Sequence, residues 1–359
     1  MNTTPNITDS HIHIRFTRYH EIEKMLDDIS TVGVTRACLL SLPYRGAAEN
    51  VAGLYAKLKY TKYPVYSFGG LHLTDRYAAY APEVTVKALL DIGCDGIKIM
   101  NSPDTSRFMG RGLSDAHYEK MFALLEELGT PINIHVADPE TFWDEGKQYH
   151  DPSFPSKQWL YDDIFKVLDR HPGLRVTFAH FFFLSNFPEE AARVMDKYPN
   201  VRFDLTPGVE MYSNFDKHLD EWREFFVKYK KRILFGTDCN TMKASNKDLV
   251  RLVYRKLTES TGLFTQKCYG RDYVVHGLEL DADTVDCICR TNFDDFAGLS
   301  PKAVDKEMLL TGINRILCDL RDNPHDEYYI KGYEFIPGLA DDPDQRNAWH
   351  FCRHALDTL

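Results

Sequence analysis

Short apolar runs alternate along most of this chain with longer segments in which apolar residues recur every three or four positions. The short runs are typical of buried β-strands, and the longer segments have the period of amphipathic helices. The predicted strands are 7–14, 35–41, 64–71, 96–100, 131–136, 174–180, 201–206 and 232–237. The predicted helices lie near 20–32, 46–62, 77–92, 115–128, 157–170, 188–197, 216–230 and 246–258. Eight alternating strand–helix units predict an α/β fold, a parallel TIM (β/α)8 barrel.

The pattern changes after about residue 300. Two helix-like segments, 302–320 and 343–357, flank a stretch rich in Pro, Gly and Asp from Asn323 to Gln345. We therefore expect a barrel domain over residues 1–300. A C-terminal helical extension over residues 301–359 should pack on the barrel or on a neighbouring subunit.

The amino-acid composition limits the kinds of molecule that this protein is expected to bind. The 359 residues are 43% hydrophobic and 13% aromatic, enough for a large core, and the net charge is -10. No basic run occurs, which argues against nucleic acid and anionic membranes as partners and favours a small-molecule substrate. The start lacks a signal-peptide pattern, so we expect a cytoplasmic protein whose eight cysteines are free thiols. The oligomeric state stays open, a homo-oligomer included.

Histidine and carboxylate side chains stand at the ends of four predicted strands. His11 and His13 end the first, His135 the fifth, His180 the sixth and Asp238 the eighth. Residues two apart on a strand point the same way, and the carboxyl ends of barrel strands meet at one mouth. A lone histidine is more often a hydrogen-bonded core residue, and Asp238 could cap a helix. The joint placement favours a site for a divalent metal, with zinc as the expectation from the donor types.

Asp238 would then have a chemical role beside its role as a ligand. A divalent metal lowers the pKa of bound water to about 7. A neighbouring carboxylate can take up that proton and pass it to a leaving group. We interpret Asp238 and His180 as the catalytic residues.

Further candidates lie where the loops of the same mouth should be, and barrel enzymes use such loops to bind substrate. Arginine suits a substrate carboxylate because it can donate two parallel hydrogen bonds. For any single arginine, a solvated surface charge is the more common role. The candidate substrate-binding residues are His72, Lys98, Arg107, Arg111, Trp143 and Glu210.

Several segments together resemble the amidohydrolase superfamily, in particular its amidohydrolase 2 branch, which includes aminocarboxymuconate-semialdehyde decarboxylase. They are DSHIHI, GCDGIKI, RGLSDAHYEKMFALLEELGTPINIH, LDRHPGLRVTFAH, YPNVRFDLTPG, KRILFGTDCN and HGLELDADTVDCICRTNF. The resemblance covers about residues 7–293. It implies one divalent metal, usually zinc, bound by His11, His13, His135 and Asp238. In mononuclear members the residue matching His180 polarises the substrate or the attacking water; in binuclear members it binds a second metal.

This sequence departs from that branch in three places. Phe181, Phe182 and Phe183 stand where the branch usually has glycine, which predicts a bulkier pocket wall. Lys98 should face the barrel interior; a lysine on this strand is carboxylated in some distant relatives, whereas the local motif here fits a structural or substrate-binding role better. The tail after residue 300 has no counterpart in the common pattern.

Three functions remain for such a site. The first is hydrolysis, by metal-activated water, of a small polar amide, lactone or ester, with or without a carboxylate. The second is a metal-dependent carboxy-lyase or hydratase acting on an unsaturated or aromatic acid. The third, a non-catalytic binding barrel, does not explain why all five metal-type residues are present. Fold alone does not choose between the first two.

Overall fold

The computed structural model describes residues 5–42, 47–71, 81–208, 210–243, 246–268, 270–322 and 348–359. Its main sheet follows chain order, and each strand pairs in parallel with the next. The strands are β1 (Ile7–His13), β2 (Val34–Leu40), β3 (Val65–Gly70), β4 (Gly96–Asn101), β5 (Pro131–Val136), β6 (Arg175–Phe178), β7 (Val201–Asp204) and β8 (Ile233–Leu234). All eight predicted strands are present, and β6, β7 and β8 end before the predicted last residue.

The sheet closes on itself through a short ninth strand, β9 (Cys239–Asn240), which pairs in parallel with β1. β8 and β9 belong to one segment of chain. The residues between β8 and β9 also bond to β1: the Ser10 amide donates to the Phe235 carbonyl, and the Asp238 amide donates to the His11 carbonyl, each at 2.9 Å. The first and last strands are therefore joined, and the predicted TIM barrel is confirmed.

Helices cover the outside of the barrel. In chain order they are α1 (Ile22–Ser30), α2 (Ala47–Lys59), α3 (Pro82–Ile92), α4 (Pro103–Met109), α5 (Glu119–Glu127), α6 (Lys157–Arg170), α7 (Pro188–Lys197), α8 (Met211–Phe215), α9 (Leu219–Lys228), α10 (Asn246–Thr258), α11 (Ala282–Asp286), α12 (Asn292–Ala297), α13 (Lys306–Asp322) and α14 (Ala348–Thr358). Their N-termini follow the usual helix-capping preferences. Ser156, for example, caps α6 by accepting a hydrogen bond from the Trp159 amide, and Leu160, Ile164 and Val167 then face the core.

An antiparallel hairpin, absent from the predicted pattern, follows α10. It consists of β10 (Leu263–Cys268) and β11 (Arg271–His276), with Cys268 paired to Arg271 at the tip. Alternation along both strands places Phe264, Cys268 and Val275 on one buried face. This face packs towards α10, where the Arg255 guanidinium lies 4.5 Å from the Phe264 ring centroid.

The last two helices contact each other and α2. Phe351 of α14 is fully buried, with its ring centroid 6.3 Å from that of Phe16 and 5.1 Å from that of Tyr19. Both partners belong to the segment that leaves β1. Among the described residues, no helix combines the length and apolar character needed to cross a membrane.

Candidate metal centre and cavity

His11 and His13 lie at the C-terminal end of β1, and their side chains meet. Their Nε2 atoms are 3.1 Å apart. His11 is fully buried and His13 is 9% exposed. The two imidazoles point the same way, as their spacing on a strand predicts, although a bulge interrupts the pairing with β2 between Asp9 and Ile12.

Hydrogen bonds define which nitrogen of each ring carries the hydrogen. His11 Nδ1 lies 2.8 Å from the Asp204 carboxylate, and His13 Nδ1 lies 2.8 Å from the Leu40 carbonyl. Neither acceptor carries a hydrogen, so each Nδ1 is the donor and each Nε2 presents a lone pair. Burial lowers the pKa of His11 well below its usual value and that of His13 to about 4, which keeps both rings neutral.

Two lone pairs at this separation repel each other, and a cation beside them would remove the repulsion. Asp238 supplies the complementary charge: its Oδ1 lies 3.5 Å from His13 Nε2. One donor atom from each of His11, His13 and Asp238 lies within 4.8 Å of the others. Two neutral imidazoles and a carboxylate are typical ligands of zinc and similar divalent ions. The three residues could therefore hold a metal.

Asp238 is held in place and kept ionised by its neighbours. The Lys243 Nζ donates to its Oδ2 and to its backbone oxygen, both at 2.8 Å. Burial raises the pKa of the Asp238 carboxyl, but the neighbouring Lys243 charge works in the opposite direction, and the pKa lies below its usual range. The residue lies in the left-handed region, with φ of 60°, at the break between β8 and β9.

Asp204, at the end of β7, connects the parts of the site and was not among the predicted residues. Its fully buried carboxylate accepts hydrogen bonds from the His11 ring at 2.8 Å, the His180 amide at 3.0 Å, the Thr206 amide at 3.1 Å and the Asn133 side chain at 3.1 Å. A carboxylate behind a ligating histidine fixes its ring and raises its basicity. Its position at a strand end in YPNVRFDLTPG was the available sequence signal.

His135 and His180 lie on the other side of the same opening. Their ring centroids are 5.0 Å apart, and that of His180 is 5.6 Å from that of His11. His135 is outside the close group of donor atoms, and its Nε2 lies 3.3 Å from Asp138 Oδ1. The His180 Nδ1 lies 3.3 Å from the Thr206 carbonyl, so its hydrogen is there. Burial lowers the pKa of His180 well below its usual value.

His180 belongs to a turn of unusual backbone. Strand β6 ends at Phe178, and the four residues from His180 to Phe183 have φ values of 54°, 55°, 57° and 49°. Each costs roughly 1–2 kcal/mol for a residue with a side chain. Phe181 and Phe182 turn away into the core, where both are fully buried, and only Phe183 faces the opening. The expected bulkier wall therefore comes from one ring of the three.

Lys98 faces the barrel interior, as predicted, and is 1% exposed. Its Nζ donates to the Asn133 side-chain oxygen at 2.6 Å. Asn133 in turn donates to Asp204. Burial lowers the pKa of Lys98 to about 8. Lys98 is therefore connected to His11 by a chain of hydrogen bonds through Asn133 and Asp204.

A cavity of about 390 Å³ opens at Asp238, His135 and His180. Phe142, Phe183 and Tyr273 contribute aromatic rings to its wall, and Lys243 and Arg271 contribute positive charge. Arg271 and Tyr273 come from the hairpin and were not predicted as site residues. The alternation in LFTQKC and RDYVVH, with Gly270 between, was a hairpin signal in the sequence. A second cavity of about 250 Å³ shares His180 and Phe183.

The predicted substrate-binding residues lie in different places in the structure and do not form one group. Glu210 lines the second cavity. Arg107 is exposed, with its guanidinium 4.3 Å from the Phe154 ring centroid, and Arg111 is exposed as well. The Trp143 ring nitrogen donates to the Pro155 carbonyl at 3.1 Å and so fastens its own loop. His72 lies outside the described residues.

A family model described as Amidohydrolase matches residues 23–292. The match covers most of the chain, and the chain therefore belongs to the amidohydrolase family. A search of curated protein sequences finds no match.

Solved structures resemble the fold at low sequence identity. An uncharacterised TIM-barrel protein from Bordetella bronchiseptica is 13% identical, with a TM-score of 0.51 over 81% of this chain and 98% of that chain. The 2,6-dihydroxybenzoate decarboxylase from Rhizobium is 15% identical, with a TM-score of 0.50 over 82% and 99%. A 2,6-dihydroxybenzoate decarboxylase complexed with 2,6-dihydroxybenzoate is 16% identical, with a TM-score of 0.51 over 82% and 100%. These similarities support the barrel fold.

Proposed function

We propose that the chain is a metal-dependent carboxy-lyase that removes carbon dioxide from a small aromatic or unsaturated acid. The observation that carries the proposal is the wall of the cavity at Asp238, where the rings of Phe142, Phe183 and Tyr273 occur together with positive side chains. Aromatic rings suit a flat substrate, and positive charge suits its carboxylate. Two solved structures of similar fold are of 2,6-dihydroxybenzoate decarboxylase, and one of them holds 2,6-dihydroxybenzoate, a compact aromatic acid.

The proposed metal ligands are those expected from the sequence, namely His11, His13, His135 and Asp238. His135 lies outside the close group of donor atoms and would exchange its contact with Asp138 for the ion. We propose one divalent ion, with zinc as the expectation from the donor types. When bound, the ion would withdraw electron density from substrate oxygens, or acidify water in a hydrolytic reaction.

Residues of this chain can deliver the proton that replaces the lost carbon dioxide. On loss of carbon dioxide, the bond to the carboxylate carbon breaks and its electron pair stays on the ring carbon, which then takes up one proton. Neutral His180 presents a lone pair at Nε2 and can take a proton from a substrate hydroxyl or from water and deliver it to that carbon. Ionised Asp238 can act in the same relay. Solvent replaces the proton consumed.

Hydrolysis of an amide, lactone or ester is the second candidate. Asp238 favours it, because an ionised carboxylate beside the metal ligands is suited to take a proton from attacking water. Its pairing with Lys243 at 2.8 Å makes it a weaker base and counts against this role. We therefore place hydrolysis second.

Products in heavy water separate the two reactions. Zinc-loaded protein is incubated in D2O with hydroxybenzoates, dicarboxylic aromatic acids, lactones and amides, and products are read by mass spectrometry. A lyase releases carbon dioxide and leaves one deuterium on the former carboxyl-bearing carbon. His180→Asn should lower this activity roughly 100-fold, whereas His20→Asn, an exposed control, should not. Turnover of lactones or amides without release of carbon dioxide would refute the proposal.

A further inference from the structure

The hairpin that follows α10 sends one of its two faces towards the cavity. Arg271 and Tyr273 alternate with Val275 along β11 and therefore share its face. Val275 is 1% exposed, and the paired strand contributes buried Phe264 and Cys268 to the same face. The outward face carries Lys267 and Val274, both exposed. Arg271 thus lies on the same strand face as these buried residues, at the tip of the hairpin, where it is itself exposed to solvent and lines the cavity.

The guanidinium of Arg271 is positioned by its neighbour. Its Nη2 donates to the Tyr273 hydroxyl at 2.5 Å, and its central carbon lies 4.6 Å from the Tyr273 ring centroid. An arginine stacked on an aromatic ring in this way keeps other N–H donors available. Among the described residues, the salt bridges of the chain leave Arg271 without a carboxylate partner.

The two positive side chains of the cavity, Lys243 and Arg271, differ in whether a carboxylate of the protein already pairs with them. Lys243 is engaged by Asp238, to which it donates twice. Arg271 lines the same cavity as Asp238 and His180 but belongs to the hairpin rather than to the barrel. A substrate anchored at the metal ligands by one end would therefore meet Arg271 with another part of its structure.

We propose that Arg271 is a specificity-determining residue that binds a second carboxylate of the substrate, which makes the substrate class a compact aromatic or unsaturated dicarboxylic acid. The inference rests on the proposed function for the identity of the first carboxylate. The planar guanidinium donates two parallel hydrogen bonds to a carboxylate, and the Tyr273 hydroxyl holds it in orientation. The rings of Phe142 and Phe183 then cover the body of the substrate.

Binding, measured without turnover, tests the proposal. Zinc-loaded protein is titrated calorimetrically with benzoate and with isophthalate, which differ by one carboxylate. A hydrogen-bonded charge pair contributes about 1.5–3 kcal/mol, so the wild type should bind isophthalate about 10- to 150-fold more tightly. Arg271→Met should reduce this preference to within about 2-fold, and Arg271→Lys should retain part of it. Lys267→Met removes the same charge from the outward face of the hairpin and should leave the preference unchanged.

The outcomes separate this inference from the proposed reaction. A wild type that binds both acids equally, or fails to bind isophthalate at millimolar concentration, would overturn the role of Arg271, as would a preference that survives in Arg271→Met. A protein that shows the Arg271-dependent preference but releases no carbon dioxide from any acid would instead refute the lyase and leave the second carboxylate site standing.

Discussion

At the scale of single residues, Asp204 does most to organise the site, because one buried carboxylate accepts bonds from a proposed ligand and from the backbone of His180. Asp204→Asn should lower metal affinity roughly 10- to 100-fold, the usual cost of losing a carboxylate behind a ligating histidine. Metal titration after chelation would measure this effect, with circular dichroism to verify folding. Asp283→Asn, at an exposed carboxylate, is the matched control. Unchanged affinity in Asp204→Asn would contradict the role.

Lys98 gives the site a dependence on pH that can be measured as stability. Its pKa falls to about 8 in the folded protein from 10.5, so between these values the unfolded chain binds a proton that the folded protein lacks. The penalty for burying the charge is complete below pH 8 and disappears as the pH rises towards 10.5. Between pH 7.5 and 9.5, wild type should gain about 2 kcal/mol of unfolding free energy relative to Lys98→Met.

Urea unfolding of chelated protein at the two pH values would measure this difference. Lys120→Met removes an exposed lysine and should follow the wild type at both values. A constant difference between wild type and Lys98→Met would show that Lys98 titrates as an ordinary lysine.

At the scale of elements, the left-handed turn after β6 depends on the core for its conformation. Phe181 is fully buried, and its ring lies 5.0–5.7 Å from those of Phe203, Phe215, Trp222, Phe225 and Phe226. Phe181→Ala should cost about 3–5 kcal/mol of unfolding free energy, and chemical denaturation would measure it. Phe187→Ala, at a ring that is 37% exposed, should cost under about 1 kcal/mol. Equal losses would mean that the ring cluster does not support the turn.

Sequence patterns predicted the regular elements well and the irregular ones poorly. Buried parallel strands such as β5 are short apolar runs, and the period of a helix such as α6 is visible in its residues. The strand predicted over 174–180 ends early instead, because the backbone turns left-handed at His180. Nothing in a run of three phenylalanines favours that conformation locally, and tertiary packing imposes it.

The same contrast between regular and irregular elements applies to the residues of the site. Histidines at strand ends were predictable because barrel topology brings those ends together. Arg107 and Arg111 were predicted from their position in a loop, and because the path of a loop depends on its own packing, the sequence alone did not show where either side chain lies; Arg107 stacks on Phe154. Arg271 entered the cavity through a hairpin outside the eightfold pattern.

At the scale of the whole molecule, the C-terminal helices pack against the part of the chain that leaves the metal-binding strand. Phe351 contacts the rings of Phe16 and Tyr19, a few residues beyond His13. Phe351→Ala should lower the free energy of unfolding by about 3–5 kcal/mol, as measured by denaturant titration. Trp349→Ala, on the same helix at a ring that is 38% exposed, should cost under about 1 kcal/mol. A loss below 1 kcal/mol in Phe351→Ala would mean that α14 adds little to the fold.

The break between β8 and β9 has a consequence for how the protein is assembled. His11 and His13 come from the first strand and Asp238 from the segment that joins it last, so these donors meet only when the ring of strands is complete. A bound ion would act as a cross-link across the seam of the barrel and would add about 2.7 kcal/mol of stability at a free concentration 100 times its dissociation constant. The ion would thereby favour the closed ring over any opened form, to an extent set by its free concentration.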